Sequence, residues 1–349
     1  MLITNAAKRP APKPDWFQAL SKYKQSNLRR AIWQLVNTFI PYLILWGLMA
    51  VLTLQGYTYW LILALAVPAG GLLVRIFIFF HDCCHGSFFA SRQANRILGY
   101  ITGILIFTPY DQWQRSHAEH HATAGNLDRR GKGDVWTMTV EEYLAAPRLK
   151  RLAYRLFRNP WVMFGLGPAF MFLIAQRFAN PRARKRDRYS VVFTNLALLA
   201  LIGVMSLTIG WQTYLLVQLP ITIIAATMGV WLFYVQHQFE GVYWARHQDW
   251  DPIQAAIAGS SYYHLPRVLQ WFSGSIGLHH IHHLRQDIPN YNLQPCYDDI
   301  PAVQTVKPLT LRSSLKCLQL NLWDETQQKL VSFGSLKMRS QQIQLSPGA

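Results

Sequence analysis

Two long stretches of this chain carry no charge: neither Ala31 to Val74 nor Tyr189 to Phe239 contains an Asp, Glu, Lys or Arg. Each is more than twice the roughly 20 apolar residues that one membrane-crossing helix needs. A soluble core helix has little use for such length. Each run is therefore read as a hairpin of two spans. The first pair is placed at 32–54 and 58–80, around an uncharged turn at Gly56 with the interface aromatics Tyr57 to Trp60. The second pair is placed at 190–209 and 212–235, around Gly210 and Trp211.

The charges that remain orient the chain. Only 15% of residues are charged, against roughly 25% in an average soluble domain. The net charge of +17 would suit nucleic acid if it formed one patch. Here the Lys and Arg flank the apolar runs, which fits anionic lipid headgroups and the positive-inside rule. Residues 1–30, with Lys8, Lys13, Lys22, Lys24, Arg29 and Arg30, read as a cytoplasmic arm. The N-terminus is too polar and basic for a cleavable signal peptide. The first hairpin occupies 31–80, with Arg75 near its end able to snorkel. A cytoplasmic and interfacial region follows at 81–188, the second hairpin at 189–236, and a cytoplasmic C-terminal region at 237–349. The apolar stretch 97–110 would make a helix of only about 21 Å, too short to span. Segment 159–176 is flanked by basic residues at 147–151 and 182–188, so it is expected to dip into the membrane or lie along its surface. Pro266 is expected to start a helix that runs through Gly274 and Gly277. Residues 288–291 read as a turn, and 311–336 as an amphipathic helix carrying Leu315, Leu318, Leu322 and Leu330. The fold class is thus an all-α integral membrane protein with four spans in two hairpins, interfacial helices and a cytoplasmic helical domain. Both termini face the cytoplasm. Cys83, Cys84, Cys296 and Cys317 form neither a disulfide framework nor a thiolate zinc pattern. Cys83 and Cys84 read as packing residues.

Eight of the twelve histidines fall in three clusters at helix spacing. His81 and His85 lie at i, i+4. His117, His120 and His121, and later His279, His282 and His283, each lie at i, i+3, i+4. Residues three and four apart share a helix face, so each cluster can aim its imidazoles at one point. The topology places all three at the cytoplasmic ends of spans or just beyond, with His237 alone at the same depth. Nine imidazoles exceed one ion's needs, since a catalytic zinc takes three protein ligands; two metals with four or five each would use them. A histidine shell suits zinc, copper, iron or nickel. Iron is favoured because a site beside an apolar bundle suggests a lipid substrate, whose C–H bonds yield to oxygen activated by a redox metal. None of the five glutamates has a His three residues on, and no His-Glu-x-x-His occurs. The carboxylate di-iron bundle and the zinc protease are thereby set aside. Asp82 and Glu119 lie inside the clusters, where they can accept an N–H from a ligand imidazole. His280 breaks the spacing and is placed in the same supporting shell. His247 and His264 read as non-ligands.

The order HxxxH, HxxHH, HxxHH between hydrophobic hairpins resembles the membrane fatty acid desaturases, and more closely the bacterial and cyanobacterial acyl-lipid desaturases of the Δ12/ω-6 type. The resemblance rests on HDCCHGSFF at 81–89, HAEHHATAGNLDRRGKGDVWT at 117–137, FYVQHQFEGVYW at 233–244, LPRVLQWFSGSIGLHHIHHL at 265–284 and IPNYNLQ at 288–294. It implies two non-haem irons held by the nine histidines, with His237 as the isolated additional ligand. It also implies a reaction that uses O2 and two electrons to remove two hydrogens from an acyl chain. The chain has no His-Pro-Gly-Gly haem motif, so the electrons would come from a separate donor such as a ferredoxin. An acidic donor would be drawn to the basic stretch 182–188. Two other readings use the same histidines: a di-iron hydroxylase or ketolase acting on alkanes, lipids or carotenoids, and a non-catalytic metal-binding or transport protein. The second is disfavoured because the apolar runs hold no ionisable residue that transport would use.

Overall fold

A computed structural model describes residues 14–131 and 133–336. The basic residues Lys8 and Lys13 and the end of the chain beyond residue 336 lie outside it. Among the described residues, four helices are long and apolar enough to cross a membrane: α1 (Leu28–Leu54), α2 (Tyr59–His85), α6 (Lys185–Thr208) and α7 (Trp211–His237). The charge-free runs thus become the two helical hairpins they suggest. Each tight turn contains a glycine with positive φ, Gly56 and Gly210, a conformation that costs glycine little. At the other end of α1, the Asn27 side chain accepts the Arg30 N–H at 3.0 Å.

The core lies where α2 and α7 pack together, covered by α1. Gly70 permits the approach of α7, and Gly71 leaves room for Phe272 of a later segment. A Cβ at Gly70 would fall 2.7 Å from Ile224 Cγ2, and one at Gly71 would fall 2.9 Å from the Phe272 ring. Arg75 does not snorkel. It is 3% exposed, donates from Nε to Thr38 Oγ1 at 3.0 Å and to the Trp271 carbonyl, and stacks under the Trp271 ring at 4.2 Å. A buried cation persists when its hydrogen bonds are made inside the protein.

Between the hairpins run α3 (Arg92–Leu105), α4 (Tyr110–Thr123) and α5 (Arg148–Phe157). The apolar stretch 97–110 is helical only as far as Leu105, in the first of these, and residues 106–109 turn the chain into α4. The helical stretch Val162–Arg177 bridges the second hairpin laterally. The Phe164 carbonyl accepts from Thr227 Oγ1 at 2.8 Å on α7, and Arg177 donates to Asn195 at 2.9 Å on α6.

The C-terminal third departs from the expected helices. Pro266 does precede a helix, α8 (Arg267–Phe272), but it stops at once because Gly274 and Ser275 both take positive φ. The third histidine cluster sits on a separate helix, α9 (His279–Leu284), and residues 290 onward form α10 (Asn290–Asp299) rather than only a turn. Nor is 311–336 one amphipathic helix. Strand β4 (Leu322–Asp324) pairs antiparallel with β5 (Lys329–Val331) and parallel with β1 (Met138–Thr139). The spacing of the leucines fits a helix, but Asp324 Oδ1 accepts from the backbone N–H groups of Thr326 and Gln327 at 3.0 and 2.9 Å. That side-chain turn reverses the chain and makes a hairpin instead. A second small sheet pairs β2 (Tyr262–His264) with β3 (Pro308–Thr310).

Candidate metal centre

The membrane-capable helix α2 carries its apolar pattern straight into His81 and His85, in its last turns before Gly86 closes it at φ 71°. Helix α4 is held beside that end. Tyr110 Oη donates to the Cys83 carbonyl at 2.8 Å, and Gln114 Nε2 to the Cys84 carbonyl at 2.6 Å. Cys83 and Cys84 themselves are buried, in the packing role read from the sequence. Two ion pairs, Arg186–Asp111 at 2.6 Å and Arg115–Asp187 at 3.0 Å, tie α4 to the start of α6.

These elements bring nine histidines into two groups. One holds His81, His85, His117, His121 and His282; the other holds His120, His237, His279 and His283. Within each group one ring nitrogen per residue lies within 4.8 Å of every other. The division follows helix geometry. Residues i and i+4 differ by about 40° around the axis, and residue i+3 points about 100° from i+4. His117 and His121 therefore serve one group while His120 turns to the other. On α9 the i, i+4 pair His279 and His283 joins the second group and His282 the first. Each three-histidine cluster thus contributes to both groups and joins them.

The rings converge through Nε2. His117 and His121 approach to 3.1 Å, His121 and His282 to 3.0 Å, His120 and His237 to 3.1 Å, and His237 and His279 to 3.0 Å. Several Nδ1 atoms are fixed from behind. His81 Nδ1 meets Asp82 Oδ1 at 3.1 Å, His120 Nδ1 meets Asp134 Oδ1 at 2.5 Å, and His237 Nδ1 donates to the Gly259 carbonyl at 3.2 Å. Asp82 is anchored in turn by the backbone N–H and side-chain amide of Asn290, at 2.7 and 2.8 Å. Burial, followed by neighbouring imidazoles, pushes His117, His121, His279, His282 and His283 well below the ordinary 6.5. At neutral pH these rings are uncharged, the form that ligates metal. Trp113 stacks on His117 at 4.3 Å and is boxed by Phe77 and Phe80, so the membrane side of the site is apolar.

The other singled-out residues fall elsewhere. Glu119 turns outward to Arg115 at 3.2 Å. His280 Nε2 donates to the Val303 carbonyl at 3.0 Å, and burial lowers its pKa to about 4. His247 bonds Asn126, and His264 is exposed. Asp134 was not singled out from sequence. It lies fourteen positions after its imidazole partner, in a loop of mixed charge that offers no periodic signal.

Nine converging imidazoles beneath membrane-length helices define a helical membrane protein equipped to hold metal at one end of its bundle. The chain belongs to the fatty acid desaturase family, which it matches over residues 58–312, a span that contains all nine histidines. It is thus an oxidoreductase of a family whose chemistry is generally di-iron. It is 50% identical over 318 residues to a fatty acid desaturase of Bacillus subtilis, covering 91% of this chain and 90% of that one. An sn-1 oleoyl-lipid 12-desaturase of Synechocystis is 28% identical over 64% of each chain. An sn-1 acyl-lipid omega-3 desaturase (ferredoxin) of Nostoc is 26% identical, covering 69% of this chain and 66% of its own.

Proposed function

We propose that this chain introduces a cis double bond into an acyl chain of a membrane lipid, with O2 and two electrons supplied by a separate donor. The observation that carries the reading is the five-plus-four division of nine histidines, six of them buried and His85, His121 and His283 half-buried. His81, His85, His117, His121 and His282 would hold one iron, and His120, His237, His279 and His283 the other. The fit is supported by His81 Nε2 and His85 Nε2, buried without a hydrogen-bond partner among the described residues, which an ion would satisfy. When bound, such a pair supplies the oxygen activation that an unactivated C–H bond requires.

The chain's own residues do the rest. Asp82 and Asp134 fix ring orientation and raise ligand basicity. Trp113, Phe77 and Phe80 keep water from the membrane side. Residues 31–80 and 189–236 serve as membrane hairpins between a cytoplasmic arm at 1–30, a cytoplasmic and interfacial region at 81–188 and a cytoplasmic region at 237–349, in a bacterial cytoplasmic or thylakoid-type membrane. The exposed Arg182, Arg184, Lys185 and Arg188, beside α4, would attract an acidic donor, and the Nostoc relative's name specifies ferredoxin.

The test is the fatty acid profile of host membranes expressing this chain or its His120→Ala variant. New double bonds with the intact chain alone are expected. An unchanged profile with two irons bound per chain and a ferredoxin system supplied would replace this reading with oxygen insertion.

A further inference from the structure

Helix α1 carries no histidine, yet a polar stripe on it reaches toward them. Asn27, just before the helix, and Arg30, Gln34 and Thr38 within it recur every three or four residues and share one face. The Asn27 N–H donates to Tyr291 Oη at 3.0 Å, and Arg30 Nη1 donates to Asn292 Oδ1 at 3.2 Å. Between these partners, Gln34 Nε2 donates to Asn290 Oδ1 at 2.9 Å, across 256 positions of sequence. The stripe thus grips one short segment, 290–292, at the start of α10. Polar side chains on a membrane helix are costly and persist where they are used.

Gln34 differs from its neighbours in what its partner does. Asn290 is buried, and its backbone N–H and Nδ2 both donate to Asp82 Oδ2, at 2.7 and 2.8 Å. The other oxygen of Asp82 meets His81 Nδ1 at 3.1 Å, and His81 belongs to the five-histidine group. Gln34, Asn290, Asp82 and His81 therefore form one hydrogen-bonded line. Its direction is dictated by chemistry. An ionised carboxylate only accepts, so Asn290 must turn Nδ2 toward Asp82. Its Oδ1 then points at Gln34 and needs a donor. A reversed Asn290 amide would set an oxygen against the carboxylate, and Gln34 Nε2 opposes that reversal. Gln34 Oε1, by contrast, is buried with no hydrogen-bond partner among the described residues. Only the donor half of the Gln34 amide is in use.

Resting on the reading that these histidines hold two metal ions, we propose that Gln34 is a positioning residue for His81. By donating to Asn290 Oδ1 it keeps that amide's donor on Asp82, and so keeps the carboxylate on His81 Nδ1 and leaves Nε2 free for metal. The first span then serves the site as well as anchoring the chain. The experiment titrates the full-length chain, stripped of metal in mild detergent, with Co2+ and follows visible absorption and thermal melting. The wild type should bind one ion per histidine group. Gln34→Met, of similar length but with no donor, should weaken one of the two sites about ten-fold and spare the other. Gln34→Lys keeps a donor and loses only the unused oxygen, so it should bind both ions as the wild type does. Arg30→Met loosens the grip of α1 on the same segment without touching Asn290, and should also match wild type. In an Asn290→Ala background, adding Gln34→Met should change nothing further. This last pair decides the matter if Gln34→Met alone proves too unstable to titrate. Wild-type affinity in Gln34→Met, equal weakening in Arg30→Met or Gln34→Lys, or a Gln34→Met effect that persists without the Asn290 side chain would each overturn the assignment. A wild-type chain that binds fewer than two Co2+ would overturn the underlying reading instead.

Discussion

A carboxylate behind an imidazole fixes which nitrogen faces inward, and each histidine group here contains one such pair: His81 with Asp82 and His120 with Asp134. The two carboxylates belong to different groups, so their removal should be separable. Asp134→Asn is expected to weaken metal retention in the four-histidine group by about 10–100-fold. After a mild chelator challenge, metal content should fall toward one ion per chain, and retention of two would show that Asp134 only packs. His120→Ala and His282→Ala should each abolish turnover while the chain stays in the membrane, whereas His264→Ala, at an exposed position, should be tolerated; activity and iron content measured side by side decide both. The titration of the site has a definite sign. The folded pKa values of His117, His121, His279, His282 and His283 lie below the ordinary 6.5, so as pH falls through 6.5 the unfolded chain takes up protons before the folded one. Stability therefore rises with pH in that window and is lost on acidification. Thermal unfolding of metal-free protein should show a midpoint falling steadily from pH 7.5 to 5.5, and a flat profile would contradict the burial of these rings.

At the scale of elements, the third histidine cluster depends on the break before it. Gly277 lies so close to β2 that a Cβ there would sit 2.3 Å from the Tyr263 carbonyl oxygen. Its own carbonyl accepts the Tyr263 N–H at 2.7 Å. Gly277→Ala must push α9 away from the strand, at a cost of about 1–3 kcal/mol, and should loosen His279 and His283 together. Gly203→Ala, on α6 with open space around it, should be neutral or stabilising by up to about 1 kcal/mol. Thermal melts and iron content of the two variants provide the comparison. If both behave alike, the strand contact does not position α9.

Over the whole molecule, the two hairpins leave their α2 and α7 ends together, and the segments between and after them close over those ends. The basic start of α6 is pinned to α4 by Arg186–Asp111 and Arg115–Asp187, which sets its exposed cations close to the helix carrying His117, His120 and His121. Changing Arg182, Arg184, Lys185 and Arg188 to Glu should lower the ferredoxin-supported rate and flatten its dependence on salt, with no change in bound iron. An unaltered salt dependence would place the donor elsewhere.

What the linear chain determined by itself was whatever local periodicity encodes. Charge-free length specified the four membrane-capable helices, and i, i+3, i+4 spacing placed His117, His120 and His121 on one turn, and likewise His279, His282 and His283. Both signals arise within a few residues, where helix geometry is set by the backbone alone. The allotment of His120 and His282 to opposite groups, the joining of Asp134 to His120 and of Asn290 to Asp82, the burial of Arg75 beneath Trp271, and the turn at Asp324 that makes strands of a leucine-rich stretch were decided only in three dimensions. Arg75 and Trp271 lie 196 positions apart and Asp82 and Asn290 208, and such partners leave no periodic trace in the chain between them. Asp134, fourteen positions from His120, and the turn at Asp324 are nearer in sequence but follow no helical or strand period.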